Sequence, residues 1–168
     1  MTGAEFVAWV EGTGLAHIMQ SQFWLFSVLE TAHFFGLSLL LGAIFIVDMR
    51  VLGFFRSIPV AAAGKLIPLA IVGFAINLIS GVGFFFSDPS SYFYNPAFKL
   101  KMALVIVAGL NAMYFTLTEH GRVMSLPSGT PARTTARVTS ALSLIVWFSI
   151  ILLGRLLPTF EGSTSLFE

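Results

Sequence analysis

Two ionisable residues stand inside an apolar run where a charge is expensive. Glu30 and His33 are three positions apart, so on a helix they share a face. An acid or base in the hydrocarbon of a bilayer costs on the order of 2.5–3.5 kcal/mol on insertion scales, so each needs a partner or a task. Histidine titrates near neutral pH and a paired carboxylate can shuttle protons, so the chemistry open to the pair is proton relay or the grip of a small polar ligand. Other polar groups recur at similar depth: Asn77, Asn111 and Trp147, with Ser143 and Ser149 close by in the chain. Counted at about 1.5 Å per residue, His33, Asn77, Asn111 and Trp147 fall within one layer about 15–18 Å below a common end. The expectation is an interior polar knot, with interhelical hydrogen bonds as the structural alternative. Arg155, and also Lys101, are long enough to reach Glu30 as a countercharge. A second charged group, Asp48 and Arg50, stands at i and i+2 and does not pair directly. It reads as a clasp completed by Arg137 or Lys65.

These residues require a membrane to be interpreted at all. Of 168 residues 57% are hydrophobic and 10% charged, and the net charge is +1. Mean hydropathy is +0.90. Soluble domains carry about 25% charged residues, so a water-soluble fold is excluded, and so is a nucleic-acid binder, which needs a basic excess. There are no cysteines, hence no disulfides and no thiolate sites. Four continuous apolar runs, 23–47, 66–87, 99–118 and 138–158, each have the roughly 20 residues that cross a bilayer. They do not alternate in polarity, so they read as helices and not as barrel strands. The expected fold is all-α: one domain, a four-helix integral membrane bundle, with residues 4–20 as a short interfacial helix or pair of turns broken at Gly12-Thr13-Gly14. That segment lacks a basic start and a long apolar core, so it is not read as a signal peptide.

Loop charges orient the bundle. Arg50, Arg56 and Lys65 follow the first run, and Arg122, Arg133 and Arg137 follow the third. The positive-inside rule puts these six in the cytoplasm of a plasma (inner) membrane, and both termini outside it. The acidic residues Glu5, Glu11, Glu161 and Glu168 flank the outer side. Asp88–Pro96, rich in proline and serine, reads as a break between the second and third helices.

The order of these motifs resembles an uncharacterised family of small bacterial four-helix membrane proteins. The residues concerned are Phe23-Trp24-Leu25-Phe26, Glu30-x-x-His33-x-x-Gly36, Asp48-x-Arg50-x-x-Gly53, Ser80-Gly81, Asn95-Pro96-x-Phe98-x-x-Lys101, Asn111-Ala112, and Ser143-x-x-x-Trp147 leading to Gly154-Arg155. The family often has proline where Ser27 stands and a histidine shortly after the Asn-Ala pair. Here Thr116 occupies that place and the nearest histidine is His120, so a role needing two intramembrane histidines is not implied. The resemblance implies a fold and a location, with no activity. In helix count and a first-helix histidine the chain is also distantly similar to copper-resistance D-type and b-type cytochrome bundles.

Three function classes follow. The first is a small transporter, proton-linked module or subunit of a larger complex centred on Glu30 and His33. Four helices leave little room for a water-filled path, which implies a homo-oligomer or a larger membrane complex. The second is a haem b or copper electron-transfer subunit with His33 and a methionine, Met113 or Met102, as ligands. The third, an enzyme, lacks a motif: neither His-Glu-x-x-His nor Gly-x-Ser-x-Gly occurs.

Overall fold

A computed structural model describes residues 2–160; Glu161 and Glu168 lie outside the described residues. Among those residues the elements are α1 (Gly3–Glu11), α2 (Gly14–Ser21), α3 (Phe23–Leu52), α4 (Val60–Gly64), α5 (Ile67–Ser87), α6 (Pro89–Tyr94), α7 (Pro96–Thr118), α8 (His120–Met124), α9 (Thr134–Leu156) and a closing 3-10 turn, Leu157–Phe160. The fold is all-α. Four helical stretches, Phe23–Leu52, Val60–Ser87, Pro96–Thr118 and Thr134–Phe160, are long and apolar enough to cross a membrane. Their outer surfaces carry Phe34, Phe35, Ile71, Ile79, Ile106, Leu117, Ile145 and Phe148, all exposed. Large apolar side chains facing outward along every long helix belong in lipid, so this is a membrane protein.

The helices alternate in direction. We call the end with α1, α2, α6 and the 3-10 turn proximal, and the end with α4 and α8 distal. The spatial neighbours are α5 on α3, α3 on α9 and α9 on α7. The remaining side, α5 to α7, meets through rings: Phe85 stacks on Phe98 at 6.0 Å. Small residues set the α3–α5 contact. A Cβ on Gly73 would lie 2.5 Å from the Gly36 carbonyl oxygen and 2.6 Å from the Leu40 nitrogen, and one on Gly83 would lie 2.5 Å from Leu29 Cδ1. Backbones can approach this closely only where the side chain is missing. Gly81, eight residues on from Gly73, has open space around it.

Helix ends follow caps, and here the structure departs from the sequence reading. The first run was expected to stop at 47. Helix α3 instead continues through Asp48 and Arg50 and ends at Gly53, whose φ of 105° is left-handed. Charges do not stop a helix; a left-handed residue does. Helix α7 starts at Pro96, three residues before the expected 99, because the Asn95 side chain accepts from the Ala97 and Phe98 amides. Helix α9 begins at Thr134, four residues before the expected 138. The expected break after residue 87 contains a short helix, α6, started by Asp88, which accepts from the Ser91 amide. The proximal segment is two helices. Thr2 and Glu5 form a capping box for α1, and Thr13 caps α2. Phe6 holds α1 to the bundle, 5.5 Å from Phe93 and 6.4 Å from Phe85.

Length adds one more fact. At about 1.5 Å per residue α3 is about 45 Å long, some 15 Å more than the hydrocarbon layer. Its two acids, Glu30 and Asp48, are about 27 Å apart along the axis, close to the thickness of that layer. Both stand near its borders, and His33 lies about 7 Å from the helix centre.

Gly73→Val is expected to destabilise the protein by about 1–3 kcal/mol through overpacking, while Gly81→Ala stays within about 0.5 kcal/mol of wild type. Unfolding in mixed micelles, followed by circular dichroism, checks both.

Candidate functional site

His33 is held by α5. Its Nδ1 lies 2.8 Å from Ser80 Oγ, and Ser80 is buried. The Ser80 hydroxyl is also 2.7 Å from the Ile76 carbonyl oxygen and 3.2 Å from that of Asn77. A hydroxyl has one proton, and its shortest acceptor is the Ile76 carbonyl. Oγ therefore accepts from His33, and the neutral ring carries its proton on Nδ1. Nε2 is left with a lone pair, and among the described residues it has no hydrogen-bond partner. The Phe84 ring packs on the imidazole at 5.3 Å, and Phe26 packs on Phe84 at 5.3 Å.

Glu30 does not join this centre. It is exposed, and among the described residues it has no ion-pair or hydrogen-bond partner. Arg155 is exposed as well and points its charge outward, so the anticipated Glu30–Arg155 pair does not form. The cause is angular. Three residues on a helix leave about 60° between side chains, and the close α3–α5 contact takes His33 while leaving Glu30 outside it. The long acid stands near the membrane border, where a carboxylate can reach water.

The anticipated knot is likewise resolved into separate contacts. Asn77 Nδ2 donates to Gly73 O in its own helix at 3.0 Å, and its Oδ1 is buried without a partner. Asn111 Nδ2 donates across to Thr139 O on α9 at 3.2 Å. Trp147 meets Phe74 edge to face at 6.5 Å. Asn77 is taken up within its own helix and Asn111 and Trp147 by a neighbouring one, so depth alone did not bring them together. Met113 is 55% exposed, in the distal half of α7, and is not brought to His33.

The distal end buries more charge than its residue types announce. Arg50 is 1% exposed and its Nε donates to Ile58 O at 2.5 Å, tying the turn after α3. Asp48 is buried and faces Ser140 and Ser143 of α9. Arg137 and Lys65 are exposed, so neither completes the clasp; the serines stand in that place. Glu119, absent from the sequence reading, is buried too, and accepts from Thr135 Oγ1 at 2.9 Å. Asp48 Oδ2, Arg50 Nη2, Glu119 Oε2 and Ser140 Oγ are buried without a hydrogen-bond partner. The Thr135, Thr139, Ser140, Ser143 series on α9 was the available signal, at helical spacings of three and four. It meets Glu119 and Asn111 on one side and Asp48 on the other.

Comparison of the chain with protein-family models, with curated proteins and with solved structures found no match.

Arg50→Met, which keeps the apolar stem but loses the bond to Ile58 O, is expected to cost about 1.5–3 kcal/mol. Arg137→Met, at an exposed position, is expected to cost under about 0.5 kcal/mol. Chemical unfolding in detergent separates the two.

Proposed function

We propose that this protein is a small proton-linked membrane module, a transporter or a subunit of a larger complex, whose working centre is His33 on Ser80. One observation carries the reading: a histidine within a membrane-spanning helix whose Nδ1 lies 2.8 Å from a buried serine hydroxyl, with no hydrogen-bond partner at Nε2 among the described residues. A proton taken at Nε2 gives an imidazolium that still donates from Nδ1 to Ser80. The ring can then load and unload a proton without breaking its anchor. Glu30, three residues nearer the proximal border, serves in this reading as a way station at the membrane edge. An exposed acid at that depth and the narrow interior of four helices both support a second subunit, as a homo-oligomer or in a larger complex.

The resemblance to small bacterial four-helix membrane proteins supports a bacterial inner membrane. Arg56, Lys65, Arg122, Arg133 and Arg137, clustered at the distal end, support that end as the cytoplasmic one. A chain without cysteine makes this simple to test: in spheroplasts Thr2→Cys should react with an impermeant maleimide and Ser57→Cys should not. The reverse pattern sinks the orientation.

The activity test is proton uptake into proteoliposomes under a potassium diffusion potential, read by an internal pH dye. His33→Ala is expected to lower the rate at least tenfold, and Ser80→Ala to give an intermediate value, with both variants still resistant to alkaline extraction. Wild-type uptake in His33→Ala would refute the reading.

The same histidine supports a second reading, a haem b or copper electron-transfer subunit, because ligating histidines donate their other ring N–H to a fixed acceptor. Since Met113 and Met102 are both exposed, a second ligand would come from another chain. A Soret or copper absorption band in purified protein, lost in His33→Ala, is the outcome that would favour it.

A further inference from the structure

Two opposite charges face outward from adjacent helices without meeting. Glu30 on α3 and Arg155 on α9 are both exposed, and among the described residues neither has an ion-pair or hydrogen-bond partner. Both stand within membrane-spanning stretches, where an ion is costly unless something outside the chain answers it.

A cavity shows how the two charges sit. It has a volume of about 240 Å3 and opens between α3 and α9, lined chiefly by Leu41, Gly42 and Phe45 from one helix and Leu144, Trp147 and Phe148 from the other. Glu30 precedes Leu41 by eleven residues, and Arg155 follows Leu144 by eleven. Eleven residues make three turns to within about 20°, so each charge stands on the cavity's face of its helix, about 16.5 Å away along the axis. Helices α3 and α9 run in opposite directions, so both displacements lead to the proximal end. Acid and base therefore share one depth, on the two walls of one outward-facing groove. Lys101 adds to the positive wall: its Nζ lies 3.4 Å from where a Cβ on Gly154 would stand, and among the described residues it has no ion-pair partner.

We propose that this groove is the interface between two copies of the chain. A two-fold axis along the membrane normal keeps every residue at its depth and sets α3 of each copy against α9 of the other. Glu30 of one copy then meets Arg155 of the second, and the same pair forms again across the axis. Each copy brings both signs to the contact, so every charge is answered by a residue of the same chain type. The apolar part of the groove fits the same arrangement. A Cβ on Gly42 would have nothing within 4 Å, so the chain leaves a hollow there. Phe148, 59% exposed at the rim of the cavity, is a side chain of the size to enter that hollow from the second copy. The proposal rests on the homo-oligomeric part of the proposed function and uses none of the proton chemistry of His33.

The test uses the full chain in phosphatidylcholine vesicles. Ser57→Cys, in the distal turn after α3, carries a donor dye in one half of the copies and an acceptor in the other. Energy transfer is followed as the protein-to-lipid ratio is varied, and this parent is expected to trace a monomer–dimer curve. Glu30→Arg and Arg155→Glu should each lower the association constant at least tenfold, by setting like charges together. The two swaps combined should return it to within threefold of the parent. Gly42→Leu, which alters no charge, should lower it at least threefold with helix content unchanged by circular dichroism. Transfer no greater than random crowding at every ratio means that lipid fills the groove, and overturns the proposal. Single swaps that associate like the parent place the contact on another face and overturn it too, as does a double swap no stronger than the singles. If the arginine swap does not insert, Glu30→Gln and Arg155→Gln replace it, each expected to weaken association at least threefold; parental association in both overturns the interface. Proton uptake in the same vesicles, with and without His33→Ala, keeps the two readings apart. A monomer with His33-dependent uptake removes the dimer alone, and a dimer with His33-independent uptake removes the proton-linked reading alone.

Discussion

The contact between α3 and α5 is the constraint on which the centre depends. In lipid no hydrophobic force pulls two helices together, so close approach and shared hydrogen bonds must do it. Gly36 and Gly73 remove the side chains that would hold the backbones apart. One turn toward the proximal end, His33 meets Ser80, and a further turn on Leu29 fills the space over Gly83. The levels step by three and four residues on α3 and by seven and three, in the opposite direction, on α5. The polar contact lies between two apolar ones that exclude lipid from it. Ser80 satisfies its own proton within α5, on the Ile76 carbonyl.

The distal end solves a different problem with the same means. Two buried carboxylates there face hydroxyls of one helix: Asp48 toward Ser140 and Ser143, Glu119 toward Thr135. Arg50 spends its donor on a turn carbonyl. Thr135 donates to Glu119 without bringing a charge of its own, while Ser140 Oγ is buried beside Asp48 without a bond. The valine and alanine cluster of Val51, Val60, Val123, Ala132 and Ala136 packs nearby and closes the end against water.

How much of this could be read from the residues differs between fold and site. Four crossings were legible because their signal is a sum over about twenty positions, which no single side chain can upset. Helix ends were less so. Asp48 and Arg50 looked like a boundary, yet the stop is Gly53, and only its left-handed backbone makes it one. The site was the least legible. His33 stood out as a rare residue in an apolar run, but Ser80, its partner, is one hydroxyl among many. Equal depth suggested that His33, Asn77, Asn111 and Trp147 would meet, but depth fixes one coordinate out of three. Rotation about each helix axis fixes the rest, and packing decides it. Glu30 faces outward and Glu119 inward for that reason, with no difference in residue type to announce it.

The uneven lengths of the crossing helices make the protein sensitive to the sheet it occupies. Helix α3 has 30 residues and α5 has 21. No single thickness suits both, and each ångström of mismatch costs a fraction of a kcal/mol, met by tilt or by local thinning. In a thin bilayer the carboxylate at position 30 is bathed in headgroup water. In a thick one it is drawn under the surface, away from the water that an unpaired acid needs. Bilayer composition thereby becomes a variable that acts on the tilt of this helix with no ligand at all.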